Sequence, residues 1–217
     1  MPGPGDITIL LYLFLIISFE LILALAVYNF IMYATPGPNN SILTASGIKF
    51  GFIRSIPNVL GIPTGHGLQL ALVCLGLGSL FIKYPILFDV LKYVGSAYIL
   101  YLAYKMFGSL NISKSEDRSR PLNYYEAILF QFVNPKAWVI CSTAVTLYYP
   151  KNENILVGTL FMVVMSTIVN IPSISIWAYG GSIIRQYLGN EKLKKTIELL
   201  LAIMLIGTAV SVFFYNP

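Results

Sequence analysis

A chain of 217 residues that is 57% hydrophobic and only 11% charged, with a mean hydropathy of +0.75, is too apolar to be a soluble domain. Its length allows about six membrane spans of roughly 20 residues with short loops, which leaves no room for a separate soluble domain. The net charge of +5 needs no nucleic-acid partner, because cytoplasmic loops of membrane proteins are enriched in Lys and Arg.

Residues 1–6 form a short Pro/Gly-rich lead without Lys or Arg. They do not resemble the start of a secretory signal, so the apolar run at 7–34 is expected to stay in the membrane. That run carries Glu20. A carboxylate inside a span is a candidate proton carrier, whereas a span that begins near Glu20 leaves it at the interface as a helix-end marker. The run stops at Thr35-Pro36-Gly37-Pro38-Asn39-Asn40. Pro36 and Pro38 lack a backbone N–H and each restricts the residue before it, so a helix must break here. Pro38 suits the first turn of a new helix, where Asn39 and Asn40 stand beside N–H groups still without partners, a site for a small anion.

Residues 41–50 read as a short helix, followed by Lys49 and Arg54 in a turn with Gly47 and Gly51. The second apolar run, about 56–82, places Gly61, Gly65 and Gln69 on one i,i+4 row, a face thin enough for close helix approach. His66, the only histidine, lies beside that row. It either carries a proton or contacts substrate, or it hydrogen-bonds a neighbouring helix. The third run, about 86–107, contains Gly95-Ser96-Ala97-Tyr98, and Tyr93, Tyr98, Tyr101 and Tyr104 read as an interfacial belt. Residues 109–123 form a polar linker with Lys114, Glu116, Asp117, Arg118 and Arg120.

The fourth run, about 124–149, is interrupted by Gln131-Phe132-Val133-Asn134-Pro135-Lys136-Ala137-Trp138, so a second broken helix is expected. Lys136 lies roughly 18 Å along such a helix from Tyr124. An ammonium at that depth needs a partner or a water-filled cavity, unless it snorkels along its own stem to the interface. The fifth run, about 155–181, carries a polar stripe of Ser166, Asn170, Ser173 and Trp177, which either lines a substrate path or bonds helices together. Arg185, Lys192, Lys194 and Lys195 precede a last run at about 196–214.

The two halves show internal repetition. Pro36 and Pro135 each break the first span of their half. Gly61-Ile62-Pro63-Thr64 has a counterpart in Asn170-Ile171-Pro172-Ser173, and Gly95-Ser96-Ala97 in Gly207-Thr208-Ala209. An odd number of spans per copy makes the copies antiparallel. The fold expected is therefore an all-α membrane protein of six transmembrane helices, with broken first and fourth helices. Within a single transporter domain at 1–217, two inverted three-helix repeats at 1–108 and 124–217 flank a cytoplasmic linker at 109–123. Loops after the first, third and fifth spans hold ten of the 14 Lys and Arg residues, so these loops are assigned to the cytoplasm and both termini outside.

Thr35-Pro-Gly-Pro-Asn-Asn40, the glycine-spaced second span from Gly61, Gly95-Ser-Ala-Tyr98 and Phe130-Gln-Phe-Val-Asn-Pro-Lys-Ala-Trp138 together resemble the LysE/RhtB family of bacterial amino-acid exporters. The resemblance runs from about Glu20 to the end of the chain. Asn39-Asn40 and Gln131-Phe-Val-Asn134 are most similar to the branch that exports cysteine and related neutral amino acids. The resemblance implies efflux of neutral amino acids or derivatives such as cysteine, threonine or homoserine across the bacterial cytoplasmic (inner) membrane, driven by proton antiport.

The residues themselves offer a matching site. Half-helix N-termini after Pro38 and Pro135 would present N–H groups and positive dipole ends to a substrate carboxylate. Pro36, Gly37, Asn39, Asn40, Gln131 and Lys136 stand close by in sequence. The Asn134 and Asn170 side-chain oxygens and the carbonyls freed at the breaks are expected to meet the substrate ammonium, Ser173 is a further substrate-binding candidate, and Glu20 and His66 are the proton-coupling candidates. The other partners expected are the lipid bilayer and, through the glycine faces, a second copy in a homodimer. No cofactor and no metal is expected. A metal-cation exporter needs several carboxylates or histidines at membrane depth, and the spans offer Glu20 and His66 alone. A thiol–disulfide carrier would use Cys74 and Cys141, but neither lies in a Cys-x-x-Cys. No nucleophile–base set suggests an enzyme.

Overall fold

The computed structural model describes residues 18–110 and 120–214. The lead at 1–6, the start of the first apolar run and the linker residues 111–119, including Lys114, Glu116, Asp117 and Arg118, lie outside the described residues. Every regular element among the described residues is helical, as expected.

Helix α1 (Phe19–Ala34) starts where the Ser18 side chain accepts from the Leu21 N–H, and its first turn holds Glu20. It ends at Thr35, whose N–H reaches the Ile31 carbonyl, because Pro36 cannot extend the ladder. Helix α2 (Pro38–Phe50) starts on Pro38 and turns 57° from α1. The bent pair is the broken first helix that the sequence suggested, with the short helix read at 41–50 extended back to Pro38. Polarity is tolerated because α2 is enclosed: Asn40, Ser41, Thr44 and Ser46 are all buried.

Gly51, at φ 84°, takes the left-handed conformation that separates α2 from α3 (Phe52–Leu72). Helix α3 runs through a π turn (Val73–Leu77) into α4 (Gly78–Lys83). After α5 (Pro85–Met106), a capping box between Asn123 and Glu126 opens α6 (Tyr124–Val133). Asn134 breaks the chain, and α7 (Pro135–Tyr148) leaves at 73°. Asn154 caps α8 (Ile155–Ile184) and Asn190 caps α9 (Glu191–Phe213). Among the described residues four helices are long and apolar enough to cross a membrane, and each bent pair taken as one span brings the total to six.

Helix packing relies on absent side chains. A Cβ on Gly61 would strike the Tyr124 carbonyl, and one on Gly65 would lie 2.7 Å from the Ile128 carbonyl. The expected glycine row is therefore the seat of α6 on α3. Gly47 and Gly181 make the tightest crossing, each placed so that a Cβ would enter the other helix's backbone. Helices α3 and α8 meet directly, as do α5 and α9; α6 packs on α3, and α1 packs on α8. Apolar side chains such as Ile53, Ile86, Leu156 and Ile176 are exposed around the outside, which suits lipid and would be a liability in water. Tyr93, Tyr98, Tyr101 and Tyr104 are exposed as well.

Candidate functional site

The two breaks meet. Lys136 occupies the second position of α7, and its side chain reaches across Gly37 to the end of α1. There Nζ donates to the Thr35 and Pro36 carbonyls, each at 3.0 Å. Those carbonyls have no partner within a helix because α1 ends beside them. A Cβ on Gly37 would stand 3.0 Å from Nζ and 3.1 Å from Cδ of Lys136, so glycine clears the path of the ammonium. Lys136 thus closes one break with a cation supplied by the other.

Amide side chains hold the surrounding backbone. Asn40 Nδ2 donates to the carbonyls of Tyr33 and Thr35, both at 2.8 Å, and bridges the bend between α1 and α2. Asn39 and Gln131 form a reciprocal pair at 3.0 and 3.1 Å. Gln69 Nε2 donates to the Gln131 carbonyl at 2.8 Å, which ties the end of the glycine row to the second broken helix. The Tyr33 hydroxyl hydrogen-bonds Ser166 and lies 2.8 Å from His66 Nε2. Cys141 Sγ is 3.7 Å from His66 Nδ1.

These groups surround a cavity of about 30 Å³ whose lining includes Tyr33, Asn40, His66, Asn134, Lys136 and Asn170, room for a water- or ammonium-sized group. The Oδ1 atoms of Asn40, Asn134 and Asn170 are buried and have no hydrogen-bond partner among the described residues. A buried carbonyl oxygen left unpaired costs about 1–3 kcal/mol. Three on residues lining one cavity mark a place for a donor-rich ligand.

Most of the residues singled out in sequence gather here. Gly37, Pro38, Asn39, Asn40, Asn134, Lys136, Asn170 and His66 all line the cavity. Gln131 stands one layer behind, bonded to Asn39. Pro135 is buried against Gly95, and Pro36 offers its carbonyl to Lys136. Two residues are placed elsewhere. Glu20 is exposed in the first turn of α1, and Ser173 turns its hydroxyl back to the Val169 carbonyl of its own helix at 2.6 Å, leaving Ile174 to line the cavity. Tyr33 escaped the sequence reading because it lies among apolar residues near the end of the first run; its position three residues before Pro36 was the only signal. Among the described residues no group of three or more His, Cys, Asp or Glu side chains could share a metal ion.

The arrangement presents one cation and three free acceptors around a single small cavity, which is the complement of a zwitterion. Comparison with known proteins agrees with the motifs. The chain is 29% identical over 192 residues to a cysteine/O-acetylserine efflux protein of Salmonella typhimurium, covering 86% of this chain and 94% of that relative. It is 27% identical over 190 residues to the protein of the same description in Escherichia coli K12, with the same coverage. No solved structure gives a significant match. The sequence profile of the LysE type translocator family matches residues 30–216, a stretch that takes in both helix breaks and every residue of the cavity, and the chain belongs to that family.

Proposed function

We propose that this protein exports small neutral amino acids across the bacterial inner membrane, binding them as zwitterions between the two helix breaks. The observation that carries the reading is the Lys136 ammonium and the three unpaired Asn oxygens on one cavity. The substrate carboxylate takes Lys136 and the N–H groups at the start of α2, where Asn39 and Asn40 lie in the first turn. Its ammonium donates to Asn40, Asn134 and Asn170. The efflux proteins to which the chain is similar are described as acting on cysteine and O-acetylserine, both of which carry this pair of charges.

Transport proceeds by proton antiport with alternating access, the two halves at 1–108 and 124–217 acting as inverted repeats. The exchange symmetry of the packing supports this, since α3 meets α6 as α8 meets α1. The Tyr33, His66 and Ser166 chain is the proton-coupling route. The odd loops face the cytoplasm and the termini face out.

The test is efflux of radiolabelled amino acids from dipeptide-loaded cells with and without a protonophore. Faster loss of a neutral amino acid than in cells lacking the protein, abolished by the protonophore, is expected. Equal loss of every amino acid in both cell types sinks the reading. Asn170→Leu removes one ammonium acceptor, and is expected to weaken the apparent affinity about 10–100-fold, as loss of a hydrogen bond to a charged group costs about 1.5–3 kcal/mol. Concentration dependence of efflux in proteoliposomes checks it.

A further inference from the structure

Gly95 and Gly207 open matching triplets in the two halves, yet their surroundings differ. A Cβ on Gly95 would lie 2.6 Å from Pro135 Cδ and 2.8 Å from the Val133 carbonyl, so α5 sits directly on the second break. A Cβ on Gly207 would meet nothing within 4 Å among the described residues. The space that separates α9 from the first break is a cavity of about 430 Å³, reaching from Gly207 to Pro36 and Lys136. This volume lies within the range of small-molecule sites, roughly 300–1,000 Å³.

Lys136 lines this chamber and the small polar cavity alike. The two spaces differ in what they can hold. The polar cavity is the smaller of the two, with room for an ammonium. The chamber is walled by Met32, Val139, Met204 and Val212, and the Thr208 hydroxyl there already donates to the Met204 carbonyl at 2.9 Å. Among the described residues that line it, Lys136 alone is charged.

We infer that the chamber between α1, α7 and α9 is the side-chain subsite of the transporter, that it takes uncharged side chains, and that Gly207 sets its depth. The inference rests on the amino-acid export proposed above. With the carboxylate on Lys136 and the ammonium in the polar cavity, the chamber is the roomy direction left for the rest of the substrate. A lysine or arginine side chain would enter beside the like charge of Lys136 with no carboxylate to receive it, and is rejected.

The experiment measures efflux of alanine, cysteine, O-acetylserine, methionine and lysine from proteoliposomes containing the full chain, Gly207→Leu or Met204→Ala. Gly207→Leu is expected to keep alanine export within about twofold and to lower methionine export about tenfold or more, the scale on which a pocket reads side-chain size. Met204→Ala is expected to shift preference toward the larger substrates, and decides the matter alone if the leucine variant does not reach the membrane. A uniform change across substrates, or none in either variant, overturns the subsite while leaving amino-acid export standing. Lysine export by the unaltered protein at the neutral rate overturns the selection against charge. Failure to export any amino acid overturns the proposed function and the subsite together.

Discussion

Lys136→Met is expected to abolish export while leaving the protein in the membrane. The ammonium has two tasks that a thioether cannot perform. It neutralises the Thr35 and Pro36 carbonyls at the end of α1, and in the proposed cycle it exchanges those carbonyls for the substrate carboxylate. A hydrogen bond to a charged group contributes about 1.5–3 kcal/mol, so its loss alone weakens binding by roughly 10–100-fold. The loss of the cation from the chamber removes the long-range attraction for the carboxylate as well. Insertion should survive, because methionine is at home in an apolar span and the Pro135 break does not depend on residue 136. Lys136→Arg should retain part of the activity, since the charge stays but the planar guanidinium cannot follow the ammonium across Gly37 without a shift. Membrane-fraction blotting beside efflux separates the two effects. Normal export by Lys136→Met removes this residue from the mechanism.

Gly181→Leu should have the largest effect on folding. Its Cβ would enter the Thr44 carbonyl of α2, while Gly47, its counterpart, faces the Ala178 carbonyl of α8. The colliding atoms are backbone, which no rotamer change can move, so the two helices must separate along their whole crossing. Overpacking in a close-packed interior costs about 1–3 kcal/mol where side chains can yield, and this site should exceed that. Because α2 carries Asn39 and Asn40 into the cavity, export should fall with stability. The adjacent Gly180 is the control: a Cβ there meets nothing within 4 Å among the described residues, and Gly180→Leu should be tolerated. Thermal unfolding of the two purified variants in the same detergent checks the contrast. Equal melting temperatures would mean that the α2–α8 crossing does not limit stability.

How much of the site could be read from sequence depended on whether the constraint was local. Pro36, Pro38 and Pro135 announce their breaks through missing N–H groups and ring sterics, which act within one helical turn whatever surrounds them. The Gly61, Gly65 and Gln69 row was legible because i,i+4 spacing defines a face before any partner is known. Ser166, Asn170 and Ser173 share such a face too, yet spacing did not reveal their different fates. Ser166 reaches Tyr33, Asn170 keeps an unpaired oxygen, and Ser173 bonds its own Val169 carbonyl. A serine hydroxyl can always choose the carbonyl four residues back, so its sequence position does not say which partner it takes. Tyr33 was invisible for a related reason: among apolar neighbours a tyrosine reads as bulk until its hydroxyl has a partner.

Composition and short-range sequence settled that the chain belongs in a membrane, that helices break around Pro36-Gly37-Pro38 and Pro135, that glycines prepare close helix contacts, and to which family the motifs point. Each follows from composition or from forces acting within a few residues. It took the packed helices to reveal that the Lys136 ammonium spans both breaks, that Asn40, Asn134 and Asn170 share one cavity, that Glu20 stands outside it, and that Gly207 faces open space where Gly95 is packed. Those outcomes depend on how helices far apart in sequence cross and at what depth. Periodicity along one helix carries its facing direction but not the height at which another helix meets it.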